Sequence, residues 1–196
     1  MWISHILFYI LKGYKILNEL LDEAIKGNID AYAKLIDLIL ADLYKVASTK
    51  LYNIEDVNDA IHETILKSFK NLKKLREKKY FKTWITKILI NECNNIYRVN
   101  MKQNKIFKAL KYKISYEKTE IEMTEDDLDF NILLKPLNDD EKLIIVLYYY
   151  NKFTTNEIAN ILNTNVNTIR SRLLRAKEKI KLQSSKGGVE HYEKRR

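Results

Sequence analysis

Four glycines and one proline, Pro136, in 196 residues are what most constrains the fold of this chain. Sandwiches and barrels turn often and need many such residues, so an all-β architecture is disfavoured. The length suits one or two domains at about 150 residues each. A hydrophobic fraction of 46% argues against wholesale disorder. A single Cys93 excludes an internal disulfide framework and a cysteine zinc site, and it fits a reducing cytoplasm.

Apolar spacing of three and four runs almost throughout, so the expected fold class is all-α. Gly27 and Asn28 should end a first helix near Leu17–Lys26. Ala31, Leu35, Leu38, Ile39 and Val46 then continue on one apparent helical face, with Asp42 as a polar exception. Asn53 is a suitable N-cap, with Glu55 and Asp56 in the following first turn. Val57, Ala60, Ile61, Thr64, Ile65, Phe69 and Leu72 mark the buried face of that helix, and Phe81, Trp84, Ile85, Ile88, Leu89 and Ile96 mark the next. The apolar run Met1–Leu11 is shorter than the roughly 20 residues of a membrane span. It also lacks the flanks of a secretory signal. It is expected to be a helical extension, residues 1–18, packed on the body, or an over-extended start; a membrane-surface or partner-binding helix is the lesser alternative.

Net charge is +9, which favours an anionic partner. Resolved along the chain it is more informative. Residues 64–113 hold 15 basic and 2 acidic side chains, residues 117–129 hold 1 and 7, and residues 166–182 hold 6 and 1. Two basic helical units thus flank a weakly periodic stretch that ends acidic, and that stretch is the expected linker.

The strongest local pattern lies near the C-terminus. Thr154-Thr155-Asn156-Glu157 fits a capping box, in which each end residue satisfies a backbone N–H of the other. A short helix follows, then Asn163-Thr164-Asn165, where Asn163 tolerates a left-handed backbone. A second helix from Val166 buries Ile169, Leu173, Ala176 and Ile180. This is a helix-turn-helix, with the small Ala159 where the helices cross. The opposite face carries Asn167, Thr168, Arg170, Ser171, Leu174 and Arg175. Three of the chain's seven arginines sit on this helix, in a chain with 28 lysines. The rigid bidentate fork of arginine suits guanine edges and phosphates.

These residues carry a resemblance. The stretch from Leu137 to Lys181, and its T-I-R-S-R-L-L-R-A-K-E core above all, is similar to region 4 of extracytoplasmic-function sigma factors, the compact members of the bacterial sigma-70 family. Far upstream, D-V-N-D-A-I-H-E-T (Asp56–Thr64) resembles the region 2 segment that docks on RNA polymerase. Y-F-K-T-W-I-T-K-I-L-I-N (Tyr80–Asn91) resembles the promoter −10 reader.

The resemblance implies two small helical domains: region 2 over residues 19–98 and region 4 over 130–183, joined by a flexible linker over 99–129. A Ser-, Gly- and charge-rich tail, 184–196, is expected to be disordered. It implies an alternative sigma factor that binds core RNA polymerase through the largest-subunit clamp helices and the beta flap, reads promoter DNA and starts transcription of a particular regulon. An anti-sigma factor is a candidate further partner.

Carried over by position, −35 reading falls to Asn167, Thr168, Arg170, Ser171, Leu174 and Arg175, with Arg172 and Lys177 nearer phosphates. The −10 element falls to Leu75, Arg76, Lys78, Lys79, Lys82, Lys87 and Asn91. Polymerase docking falls to Asp56, Asp59, His62, Glu63 and Thr64. The family's −10 loop often reads R-G-E where this chain has Arg76-Glu77-Lys78, which puts the loop's shape in question. Trp84, next to Ile85 and not a second tryptophan, is read as a core residue.

No catalytic, metal or cofactor constellation stands out. The three histidines are isolated, there is no Gly-rich phosphate loop, and Asp139-Asp140 suits a helix start. The alternative is a stand-alone helix-turn-helix regulator, which would not need the Asp56–Asn91 motifs.

Overall fold

The computed structural model describes residues 15–109 and 132–193. The apolar N-terminal run, the acidic strip of the expected linker and the last three residues lie outside them. Among the described residues the regular structure is entirely helical.

Helix α1 spans 15–25 and stops at Gly27, whose φ of 103° no other residue type would adopt without strain. Asn28 then opens α2 (Ile29–Asp37) by accepting from the Ala31 N–H at 3.0 Å. The continuous periodicity over Ala31–Val46 proves to be two helices, α2 and α3 (Leu40–Ser48). The chain bends at Leu38-Ile39, with Ile39 at φ −121°. The bend turns Ile39 inward and Leu38 outward, so adjacent apolar residues serve different ends. No Gly or Pro marks this break; packing alone produces it.

Asn53 caps α4 (Ile54–Asn71) as expected, accepting from the Glu55 N–H at 2.9 Å. Two 3-10 turns, Leu72–Lys74 and Lys78–Tyr80, carry the chain into α5 (Phe81–Ala109). α5 runs past residue 98, where the first domain was expected to end. The second unit holds α6 (Asp139–Ile145), a π-helical turn at Val146–Tyr150, α7 (Thr155–Ile161) and α8 (Val166–Glu193). Asp139 and Asp140 lie in the first turn of α6 as their charge suggested. Asn138 and Glu141 add a capping box there that the sequence reading passed over.

α8 continues to Glu193, so the expected disordered tail is helical through 193. Extending an existing helix adds one hydrogen bond per residue fixed, and Gly187 and Gly188 oppose it by only about 1 kcal/mol each, far less than a proline would.

In the first unit α4 packs on α5 and α3, burying Leu43, Ala60, Ile61, Phe81, Ile85 and Leu89. In the second, α6 and α7 pack on α8 around Ile144, Ile158, Ile161, Ile169 and Ala176. The two cores are continuous, because α7 also lies against α5 and the π-helical turn against α3. Ile158, fully buried, should cost about 2–5 kcal/mol on replacement by alanine, whereas the 59%-exposed Leu174 should cost no more than about 0.5 kcal/mol. Urea denaturation followed by circular dichroism measures both.

Candidate nucleic-acid interface

The helix-turn-helix is held by local hydrogen bonds. The Glu157 N–H donates to Thr154 Oγ1 at 3.3 Å. The Thr154 N–H and hydroxyl donate to Glu157 Oε2 at 2.9 and 2.7 Å. Asn163 takes φ 49°, and the Thr164 N–H donates to the Ala159 carbonyl at 2.9 Å. Asn165 Oδ1 accepts from the Asn167 N–H at 2.8 Å and starts α8. Ala159 is buried at the crossing, where a larger side chain would push the helices apart.

This frame presents Asn167, Arg170, Ser171, Leu174, Arg175 and Lys177 to solvent on α8, with Thr168 and Arg172 half-buried. Arg170 reaches Asn167 Oδ1 at 3.4 Å, and Arg175 Nε reaches the Ser171 carbonyl at 3.4 Å. Both side chains thus lie along the helix surface they would use. Arg172 is held by Asp140 at 3.1 Å, which sets it apart from the exposed Arg170 and Arg175. Lys177 lies over Tyr148 and Tyr149, 5.2 and 5.4 Å from the ring centres. These tyrosines were missed by sequence reasoning, although the Y-Y-Y triplet was the available signal. Behind the face, Lys179 Nζ donates to both oxygens of buried Glu141 at 2.8 Å, tying α8 to α6.

Burial alone would raise the Glu141 and Glu157 carboxyls. Lys179 and the Asn138 N–H for the first, and Thr154 and Thr83 for the second, outweigh burial and hold both below the usual carboxylate value. A depressed carboxyl stabilises the fold above its unfolded value, about 4.3, and loses that contribution as pH falls through its folded value. Thermal stability should therefore hold down to about pH 5 and fall below about pH 4. Glu157→Gln should shrink that acid-side fall; an unchanged acid limb would remove Glu157 from this account.

In the first unit, Arg76, Lys78, Lys79 and Lys82 are exposed around the loop and the start of α5, Leu75 is half-buried against the core, and Asn91 is exposed farther along α5. Lys78 pairs with Asp22, Lys79 with Glu77 at 2.8 Å, and Lys82 with Asp42 at 3.4 Å. The loop needs no glycine. Leu75 and Glu77 are extended, and among the described non-glycine residues only Lys152 and Asn163 have positive φ. Trp84 is half-buried, packed on the core with its ring 6.2 Å from that of Phe81. Asn91 opens onto a polar surface recess shared with Asn94, Asn95, Tyr97 and Arg98.

On α4, Asp59, His62 and Glu63 form an exposed patch one turn long, and Glu63 lies 3.7 Å from Lys67. Asp56 is half-buried and accepts from Asn100 Nδ2 at 2.7 Å. Thr64 departs from the expected docking set: it is fully buried and donates to the Ala60 carbonyl at 2.6 Å, so its side chain serves packing. Cys93 is buried too, and burial pushes its thiol up to about 12, so it is an inert core residue. Among the described residues no helix is long and apolar enough to cross a membrane.

The comparisons agree with this arrangement. The family described as Sigma-70 region 2 matches residues 35–103, and that described as Sigma-70, region 4 matches residues 133–182. The chain is 30% identical over 145 residues to RNA polymerase sigma factor SigV of Bacillus subtilis, covering 74% of this chain and 86% of that one. It is 23% identical to the ECF RNA polymerase sigma factor SigW of the same organism, covering 81% and 91%. Among solved structures, the fold is shared with the sigma factor RpoE in its complex with the anti-sigma factor NepR from Bartonella quintana. That likeness has a TM-score of 0.62 at 21% identity, covering 76% of this chain and 93% of that one. CnrH, solved in complex with the cytosolic domain of CnrY, gives 0.60 at 19%, covering 87% and 97%. A two-unit helical protein with a region 2 and a region 4 is a sigma factor, and this chain belongs to the extracytoplasmic-function group of the sigma-70 family. It is an alternative sigma factor of bacterial RNA polymerase.

Proposed function

We propose the following division of labour within that role. Region 2, residues 19–98, docks through Asp59, His62 and Glu63 on the clamp helices of the largest polymerase subunit. Lys78, Lys79, Lys82 and Lys87 draw in the −10 strand, and Asn91 contacts an unpaired base. Region 4, residues 130–183, meets the beta flap and reads the −35 duplex with Arg170, Ser171 and Arg175. Arg172 and Lys177 act on phosphates, so they set salt dependence more than sequence choice. Residues 99–129 connect the two.

The observation that carries this reading is the exposed Arg170–Ser171–Arg175 face on a helix whose start and turn are both fixed by side-chain hydrogen bonds. The chain performs no chemistry of its own; the polymerase makes the bonds. It acts in the cytoplasm, and an anti-sigma factor is a candidate regulator because one solved relative is held by such a partner. Titrating labelled core polymerase with the full chain tests the docking step. Saturable binding that a second sigma factor displaces is expected, and absence of binding would overturn it.

A further inference from the structure

The polar face of α5 runs on past Asn91. Asn94, Asn95 and Arg98 follow it at spacings of three, four and seven, so the four residues share one side of the helix. Asn91, Asn95 and Arg98 are exposed and Asn94 is half-buried. With Tyr97 they line a single surface recess. Glu92 is the one acidic residue of α5, and it is turned to Lys67 at 2.6 Å, away from this recess. The face is therefore polar and carries no negative charge.

Arg98 is one of seven arginines in a chain with 28 lysines. Its guanidinium is already oriented. Its Nε donates to the Asn94 carbonyl, four residues back, at 3.3 Å, and its Nη2 donates to Asn95 Oδ1. Arg175 on α8 is held in the same manner, with Nε on the Ser171 carbonyl four residues back at 3.4 Å. Among the described residues Arg98 makes no ion pair with a carboxylate, in contrast to Arg172. Its two hydrogen bonds use Nε and one hydrogen of Nη2. Both hydrogens of Nη1 and the second of Nη2 are left for a ligand. Such a planar fork matches the O6 and N7 acceptors of guanine in the major groove.

The loop before α5 and the lysines at its start are assigned above to the melted strand, and Asn91 to an unpaired base. The face beyond Asn91 then points away from the melted segment, toward paired DNA upstream. A helix rises 1.5 Å per residue, so Arg98 lies about 10 Å past Asn91. At 3.4 Å per step, that distance spans about three base pairs. We propose that the Asn94–Asn95–Arg98 recess is a further sequence-reading site, in which Arg98 takes a guanine in the duplex just upstream of the −10 element. The proposal rests on the sigma-factor reading above. Asn95 holds the guanidinium in the reading orientation.

The test uses holoenzyme assembled from core polymerase and the full chain. Its probe is a pool of duplexes built on a genomic fragment that the holoenzyme transcribes, with the base pairs just upstream of the −10 element randomised. Open complexes are isolated and their DNA is sequenced. Wild type should enrich guanine at one pair, about three steps upstream of the base that Asn91 contacts. Arg98→Ala should reduce that enrichment by about 5- to 150-fold, the discrimination of one bidentate base contact. Selection at −35 and −10 and affinity for core polymerase should stay at wild-type values. Asn95→Ala, which frees the guanidinium, should lower the enrichment at that pair and at no other. An unbiased pool recovered by wild type, or a guanine preference that survives Arg98→Ala, would overturn the proposal. So would a loss shared equally by all sequences with a salt slope flattened by about one unit, the mark of a phosphate contact. Failure of the parent reading is distinct: wild type would then form no open complex on any genomic fragment.

Discussion

Arg175→Ala is expected to cut transcription from a −35-dependent promoter by about 5- to 150-fold, the equivalent of the 1–3 kcal/mol that one bidentate base contact contributes. Arg175 is exposed on α8, and its Nε rests against the Ser171 carbonyl, so its loss opens no cavity; it removes one favourable charge from buried Glu141, which keeps its hydrogen bonds to Lys179. Thermal stability and affinity for core polymerase should stay at wild-type values. Lys177→Ala, two residues on and lying over Tyr148 and Tyr149, should instead weaken binding to all duplexes alike and flatten the salt dependence by about one unit of slope. Multi-round transcription at two salt concentrations separates the two. Loss of core binding by Arg175→Ala would contradict the division between the units.

The second large effect is expected at the other end of the molecule. Asp59→Ala with Glu63→Ala should reduce competition for core polymerase by about 30-fold or more, since truncating one partner of a desolvated charge pair costs about 2–5 kcal/mol. In the free chain the same double substitution should be nearly silent. Asp59 is exposed, and Glu63 faces only Lys67 at 3.7 Å across a surface pair, which contributes less than about 1 kcal/mol. Duplex −35 binding should not change. Fluorescence competition against another sigma factor measures the first quantity, and thermal unfolding measures the second.

Local chemistry was legible in the sequence, and long-range placement was not. The Thr154–Glu157 box, the Asn53 cap and the left-handed Asn163 each depend on residues within four positions, so composition and spacing suffice to read them. The bend at Leu38-Ile39 leaves no such mark. It exists because α2 turns Tyr32 to α4 while α3 packs on both α4 and α5, which only the assembled core dictates. Thr64 was assigned by position in a motif, yet it sits on the inner side of α4 and bonds to its own backbone. Thr83 and Glu157 are 74 residues apart, and nothing in either neighbourhood signals the other. The charge pattern did anticipate two exposed basic surfaces, the arginine-bearing face of α8 and the lysine-rich start of α5.

Run-off transcription tests the central claim most directly. Purified core polymerase, with and without the full chain, is supplied with genomic fragments from the organism that encodes it. New transcripts that depend on the chain, share sequence elements near −35 and −10, and disappear with Asp59→Ala and Glu63→Ala are the predicted result. Duplex binding by the chain alone, with no binding to core polymerase and no new transcript from any fragment, would contradict the account.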